Sequence, residues 1–181
     1  LTKYVLTFRK RMGDYPNIRT SDIQEVVHIV DLDGAFIPLD SICRSEERDY
    51  EYTDTNIFTK DVDNARGRNK RKSEALKKLA FDVNRIDNIP YSIYFVSKDM
   101  DHCLFDKRNL SAQEKRDLSI AFRDKCEENP NVLDESVFKP GVATDNDYEG
   151  SWLYISQPGL ESLLRHTNLN LFFGDGAKNP K

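Results

Sequence analysis

Apolar residues dominate two short runs, Val26-Val27-His28-Ile29-Val30 and Tyr91-Ser92-Ile93-Tyr94-Phe95-Val96, each rich in β-branched or aromatic side chains and bounded by turn residues. Runs of this length and composition predict strands. Between them, Leu76, Leu79, Ala80 and Val83 recur at helical spacing, predicting a helix from about Asn64 to Asn84 that buries this stripe and exposes its basic residues. Two strands joined by a long, helix-bearing connection predict a parallel β-α-β unit, with both strand carboxyl ends on one edge.

The remaining pattern is mostly helical. Tyr4, Val5, Phe8 and Met12 share a helical face, Gly13 to Asn17 break it, and Thr20-Ser21-Asp22 form a turn or short capped segment. Residues 37 to 63 are acidic and irregular, with a short strand within Tyr52 to Phe58. Asp99 is placed to N-cap a helix from Asp101 to Lys107, and Ser111-Ala-Gln-Glu114 is a capping box ahead of Leu118, Ala121, Phe122 and Cys126. A segment from Asp134 to Phe138 follows, then a break at Pro140-Gly141. Ser151 would cap a helix holding Trp152 and Ile155, Gly159 to His166 would form another, and Leu169 to Phe173 would form a final strand before a fraying tail. The expected fold class is α/β, with a central, mainly parallel sheet flanked by helices and a helical C-terminal half. With no repeat and no convincing linker, residues 1–181 form one domain. Leu1 is not an initiator Met and no signal peptide follows it, so the chain is expected to begin inside a longer protein.

Composition narrows the class. Charged residues make up 32% and no apolar run approaches the roughly 18 residues that cross a bilayer, so no membrane role is expected. Cys43, Cys103 and Cys126 are scattered and never in a Cys-x-x-Cys pair, as in a reducing compartment, with the cytoplasm as default. Net charge is -4, yet residues 66–78 hold seven basic residues against Glu74, a local +6 that leaves -10 for the rest. Such segregation is compatible with steering a polyanion such as nucleic acid to one face, through Arg66, Arg68, Lys70, Arg71 and Lys72. An ordinary solvated helix looks the same.

The chemistry gathers where the first strand meets a glycine turn, Asp31-Leu32-Asp33-Gly34-Ala35. Two carboxylates two residues apart share a face while the strand persists, and they repel until a cation neutralises them. In open α/β sheets ligands collect at strand carboxyl ends. Asp31 and Asp33 are therefore candidate ligands for Mg2+ or Mn2+, which takes one or two carboxylates plus water and phosphate oxygens. The alternative is that both acids simply cap a turn. After the second strand, Asp99 is a further candidate metal ligand, and Asp101 and His102 are candidate acid/base groups beside Asp31 and Asp33. Asp99 as a plain N-cap and His102 as a structural residue are the competing readings.

Asp31-Leu32-Asp33 resembles the Asp-x-Asp strand of the TOPRIM fold of metal-dependent nucleases, primases and topoisomerases, in particular its RloB-like and overcoming-lysogenization-type members. Ser97-Lys98-Asp99-Met100-Asp101-His102 is similar in place to the RloB-like Ser-Asn-Pro-x-x-Glu element, with the Asn, Pro and Glu replaced. No residue here matches that family's other acid, a Glu on a preceding strand. The resemblance covers about Ser21 to Lys107 and implies a TOPRIM-like nuclease of bacterial phage defence, with a partner ATPase. Residues 150–169 also look like the end of bacterial proteins that carry a similar Asp-x-Asp-Gly strand. The same strand is similar to the first motif of haloacid dehalogenase-like phosphatases, with Ala35 in place of Thr. Gly174-Asp175-Gly176 through Asn179 resembles their Gly-Asp-x-x-x-Asp motif without the last acid. That resemblance implies Asp31 as phosphorylated nucleophile, Asp33 as acid/base and Asp175 as metal ligand. A third class is a non-catalytic nucleic-acid or protein interaction domain.

Overall fold

The computed structural model describes residues 20–47, 49–144 and 147–174. The expected N-terminal helix over residues 4–12 and the tail with Asp175 lie outside the described residues.

The fold is α/β. Its strands are β1 (Val26–Asp31), β2 (Ile42–Arg44), β3 (Glu51–Tyr52), β4 (Ile57–Thr59), β5 (Arg85–Ile86) and β6 (Ile89–Val96). Its helices are α1 (Val62–Phe81), α2 (Met100–Phe105), α3 (Ala112–Glu128), α4 (Val132–Val137), α5 (Tyr148–Ile155) and α6 (Asn170–Phe173), with 3-10 turns at Thr20–Asp22, Leu39–Ser41 and Glu161–Leu163. β1 and β6 pair in parallel, from Val26 opposite Tyr91 to Asp31 opposite Val96, so their carboxyl ends coincide as the β-α-β pattern predicts. Helix α1 fills the connection. It buries Leu76 and sets Leu79, Ala80 and the following Val83 against a core of Leu32, Phe95, Trp152 and Ile155.

Among the described residues a mainly parallel central sheet does not form. Instead there are two three-stranded mixed sheets, β1-β6-β5 and β2-β4-β3, each with one parallel and one antiparallel pair. The reason lies on the edge of β6 that faces away from β1. There β5 reaches only Ile89 and Pro90. Further along, Ile93 donates its N–H to the Tyr148 hydroxyl at 3.1 Å and accepts from Trp152 Nε1 at 3.1 Å. Phe95 donates to Asn168 Oδ1 at 2.7 Å and accepts from Thr167 Oγ1 at 2.7 Å, and Ser97 N–H reaches the His166 carbonyl at 2.8 Å. Side chains of the C-terminal segment, with the His166 carbonyl, thus satisfy the backbone groups that another strand would pair.

The same closure explains a second departure. With this edge occupied, Leu169 to Phe173 has no ladder to join and coils into α6, where buried Asn170 donates to the Thr144 carbonyl at 2.8 Å. Local chemistry accounts for the others. Helix α5 starts three residues before Ser151 because Asp147 caps it, accepting from Gly150 N–H at 2.7 Å, while the Ser151 hydroxyl is buried against Tyr148 and Asn168. The helix expected over 159–166 shrinks to one 3-10 turn, Glu161–Leu163. The strand expected within 52–58 splits into β3 and β4 around a turn held by the Thr53 hydroxyl. The Asp99 cap and the Ser111/Glu114 capping box form as their spacing predicts. No helix among the described residues is long and apolar enough to cross a membrane.

Asn168→Ala should be costly, because it removes the acceptor for buried Phe95 N–H and the donor to Ser151. A loss of about 2 to 3 kcal/mol is expected in urea unfolding. A change below about 0.5 kcal/mol, the range of surface substitutions, would show that water seals this edge equally well.

Candidate functional site

Extended backbone continues one residue past β1, since Leu32 donates its N–H to the Val96 carbonyl at 3.0 Å and is fully buried. It then turns sharply. Asp33 and Gly34 both have left-handed φ, +49° and +68°, and Asp33 N–H bonds the Lys98 carbonyl at 2.7 Å. At Gly34 a Cβ would lie 2.8 Å from Leu163 Cδ2 and 2.9 Å from Ile57 Cδ1, so a side chain there would have to displace two buried methyl groups, and the left-handed φ independently favours glycine. Asp31 and Asp33 therefore do not share a face through strand alternation. The turn is what sets the Asp33 carboxylate.

Helix α1 docks on this turn through neighbouring positions. Asn69, buried, donates to the Gly34 carbonyl at 2.8 Å, Arg68 Nη2 reaches the Asp33 carbonyl at 3.4 Å, and Lys72 Nζ sits 2.5 Å from Asp33 Oδ2. From the other strand, the almost fully buried Lys98 places its ammonium 2.9 Å from Asp99 Oδ2 and 5.0 Å from the Tyr52 ring centre. Asp99 Oδ1 caps α2 through His102 N–H at 2.8 Å, Met100 N–H donates to Asp31 Oδ1 at 3.1 Å, and Asp101 pairs with Lys115 at 2.7 Å.

Charge is unevenly compensated across these carboxylates. The tip of Asp31 is open to solvent, yet its pKa is raised, first by lost hydration, then by the charges of Asp33 and Asp99, against smaller help from Met100 N–H and Lys72. For Asp99 desolvation also pushes upward, but the Lys98 hydrogen bond and the His102 N–H outweigh it and hold the group below the usual range. Lys115 is raised by its bond to Asp101, against a smaller desolvation effect. Cys103 is buried, and desolvation pushes its thiol up to about 11.

The structure brings together Asp31, Asp33 and Asp99, with Asp101 beside them on α2. His102 is different: its ring is fully buried and neither ring nitrogen has a hydrogen-bond partner among the described residues. Of the five basic residues, Lys70 and Arg71 face solvent, whereas Arg66 donates to the Leu39 carbonyl at 3.0 Å and Arg68 and Lys72 bind the Asp33 turn. Sequence reasoning missed Asn69, Lys98, Lys115 and Tyr52. Only Lys98, next to a strand end and Asp99, carried a local signal.

Among the described residues no group of three or more His, Cys, Asp or Glu is arranged to hold a metal ion. Asp99 has both oxygens engaged, leaving one oxygen each of Asp31 and Asp33 without a hydrogen bond among the described residues. This set does not make an all-protein cage. It does fit a largely hydrated magnesium-type ion, which needs only one or two carboxylates. No family model, curated protein or solved structure matches the chain.

His102 makes stability depend on pH. Burial first, then the charges of Arg108 and Lys98, lowers its pKa from 6.5 to about 4. The unfolded chain thus takes up a proton that the folded chain refuses, so stability falls as pH drops below about 6.5 and the full penalty is present below about 4. His102→Leu should flatten the wild-type stability curve between pH 7.5 and 4.5 by roughly 2 to 3 kcal/mol in urea titrations. Parallel curves for the two proteins would refute the assignment.

Proposed function

We propose that the joined carboxyl ends of β1 and β6 form a magnesium- or manganese-dependent phosphoryl-transfer site that acts on nucleic acid. Asp31 carries the proposal: its carboxylate is crowded by Asp33 and Asp99 and makes no ion pair among the described residues, a charge surplus that a hard cation relieves. Asp31 and Asp33 would hold the ion. Bound there, Mg2+ or Mn2+ supplies charge stabilisation at a phosphoryl oxygen and a more acidic water. Lys72 orients Asp33 and adds positive charge beside it. Asp101, held by Lys115, would serve as proton acceptor, and the buried His102 serves through its backbone N–H, which positions Asp99. Lys70 and Arg71 give the solvent face of α1 its attraction for phosphates.

The parallel β1-α1-β6 unit with Asp-x-Asp at its end is compatible with the TOPRIM-like and the phosphatase readings alike; the exposed Lys70 and Arg71 on α1, suited to a polyanion, favour the TOPRIM-like one. In that reading the protein is a nuclease of bacterial defence working in the cytoplasm with a partner ATPase.

Asp31→Asn should lower Mg2+-dependent cleavage of a labelled oligonucleotide by about 100-fold or more while leaving binding nearly intact. Unchanged cleavage would remove Asp31 from the reaction. Hydrolysis of a small phosphomonoester through an acid-stable phosphoenzyme at Asp31 would establish the phosphatase reading instead. Neither activity nor Mg2+ binding would leave an interaction domain. Separately, replacing Lys70 and Arg71 by Gln should reduce the slope of log affinity against log salt on duplex DNA by close to 2, about 0.9 per lost phosphate contact. An unaltered slope would move the phosphate contacts to another face.

A further inference from the structure

Beside Asp99 lies a small open cleft of about 140 Å3 that is not accounted for by the carboxylates or by the basic face of α1. It runs between β3 and the segment joining α2 to α3. Tyr50, Tyr52 and Leu110 supply its apolar lining, and Lys98, Lys107 and Lys115 its cations. Pockets that enclose a whole small molecule are typically about 300 Å3 or more. This one matches a single planar group in size.

Its walls are tied across the chain. The side-chain amide of Asn109 accepts from Tyr52 N–H and donates to the Tyr52 carbonyl, both at 2.9 Å, so Asn109 pairs the edge of β3 as a strand would. Arg108 binds Asp54 alongside. The Tyr50 and Tyr52 rings stack with centroids 6.3 Å apart and planes at 21°, and a cation lies on each: Arg68 at 4.6 Å from the Tyr50 centroid and Lys98 at 5.0 Å from that of Tyr52. Lys98 and Lys115 are matched by Asp99 and Asp101, while Lys107 makes no ion pair among the described residues and its charge is answered only at longer range by the exposed Glu114.

Aromatic surface, hydrogen-bond donors and acceptors together, and one lysine with no ion pair among the described residues are the chemistry of a nucleotide: a base for the ring system and the carboxylate and ammonium groups, a phosphate for that lysine. We infer that this cleft receives one unpaired nucleotide of a single-stranded nucleic acid, its base against the Tyr50/Tyr52 pair and a phosphate on Lys107. The inference rests on the nucleic-acid reading above and names its substrate class. Asp99 belongs to both places, so a strand threaded through the cleft would bring its neighbouring phosphodiester to Asp31 and Asp33.

The test is binding of a fluorescent 15-nucleotide single strand, measured by anisotropy in EDTA so that no turnover enters. Tyr50→Leu should weaken it about tenfold, within the range a stacked base contributes, and Lys107→Gln about threefold or more, as for one lost phosphate contact. Tyr50→Phe should restore wild-type affinity, and none of the three should alter binding of a blunt duplex. Thermal melts within a few degrees of wild type will show that the variants are folded. Photocrosslinking of a bromouridine-substituted strand should label the peptide containing Tyr50 and Tyr52. Single-strand affinities within twofold of wild type for both variants, an equal loss on duplex, or crosslinks confined to α1 would each overturn the inference. Loss of cleavage in Asp31→Asn bears only on phosphoryl transfer, so the two ideas fail separately.

Discussion

The polar closure of β6 is the constraint on which the remaining architecture depends. A central strand has two edges of backbone donors and acceptors, and leaving either buried and unpaired costs as much as several good contacts contribute. One edge is paired by β1. The other is closed mainly by the side chains of Tyr148, Trp152, Thr167 and Asn168, which reach it from a helix and a loop. This arrangement holds the C-terminal segment in place. It also brings residues 161–163 against the turn after β1, where Leu163 fills the space beside Gly34 and the Ser162 hydroxyl accepts from Phe36 N–H at 3.2 Å. The geometry of the Asp33 turn is therefore set partly by residues far along the chain.

At the site itself, compensation of charge is local and incomplete. Lys72, Lys98 and Lys115 each take one aspartate, leaving Asp31 with a backbone N–H and two carboxylate neighbours. Helix α1 has two roles on two faces. Its Arg68, Asn69 and Lys72 are spent on shaping the turn, and its Lys70 and Arg71 remain at the surface. A run of basic residues is thus two different things once the helix is docked: one set answers carboxylates and carbonyls, the other faces water.

What could be read from the chain follows from periodicity and local capping. The parallel β1/β6 pair, the helix between them, the Asp99 cap and the capping box at Ser111 all depend on nearest neighbours in sequence or on one apolar face, and these survive in the fold. The sequence also determined that carboxylates would stand at the end of β1, because strand and glycine turn adjoin there. It could not show how Asp33 would be oriented, because its left-handed φ depends on contact with Lys98 and α1, 65 and 39 residues away for Lys98 and Lys72.

Tertiary structure alone decided the extent of the sheet. Whether Leu169 to Phe173 becomes strand or helix turns on whether a free edge exists, and Thr167 and Asn168 had already occupied it. Polar residues in a C-terminal segment carry no periodic signature of such a role. The tyrosine and lysine cleft is likewise invisible in sequence, since Tyr52 and Asn109 are joined across 57 residues by one amide side chain. Short-range rules place the acids on a strand end; only long-range hydrogen bonding chooses which cations, rings and turns surround them.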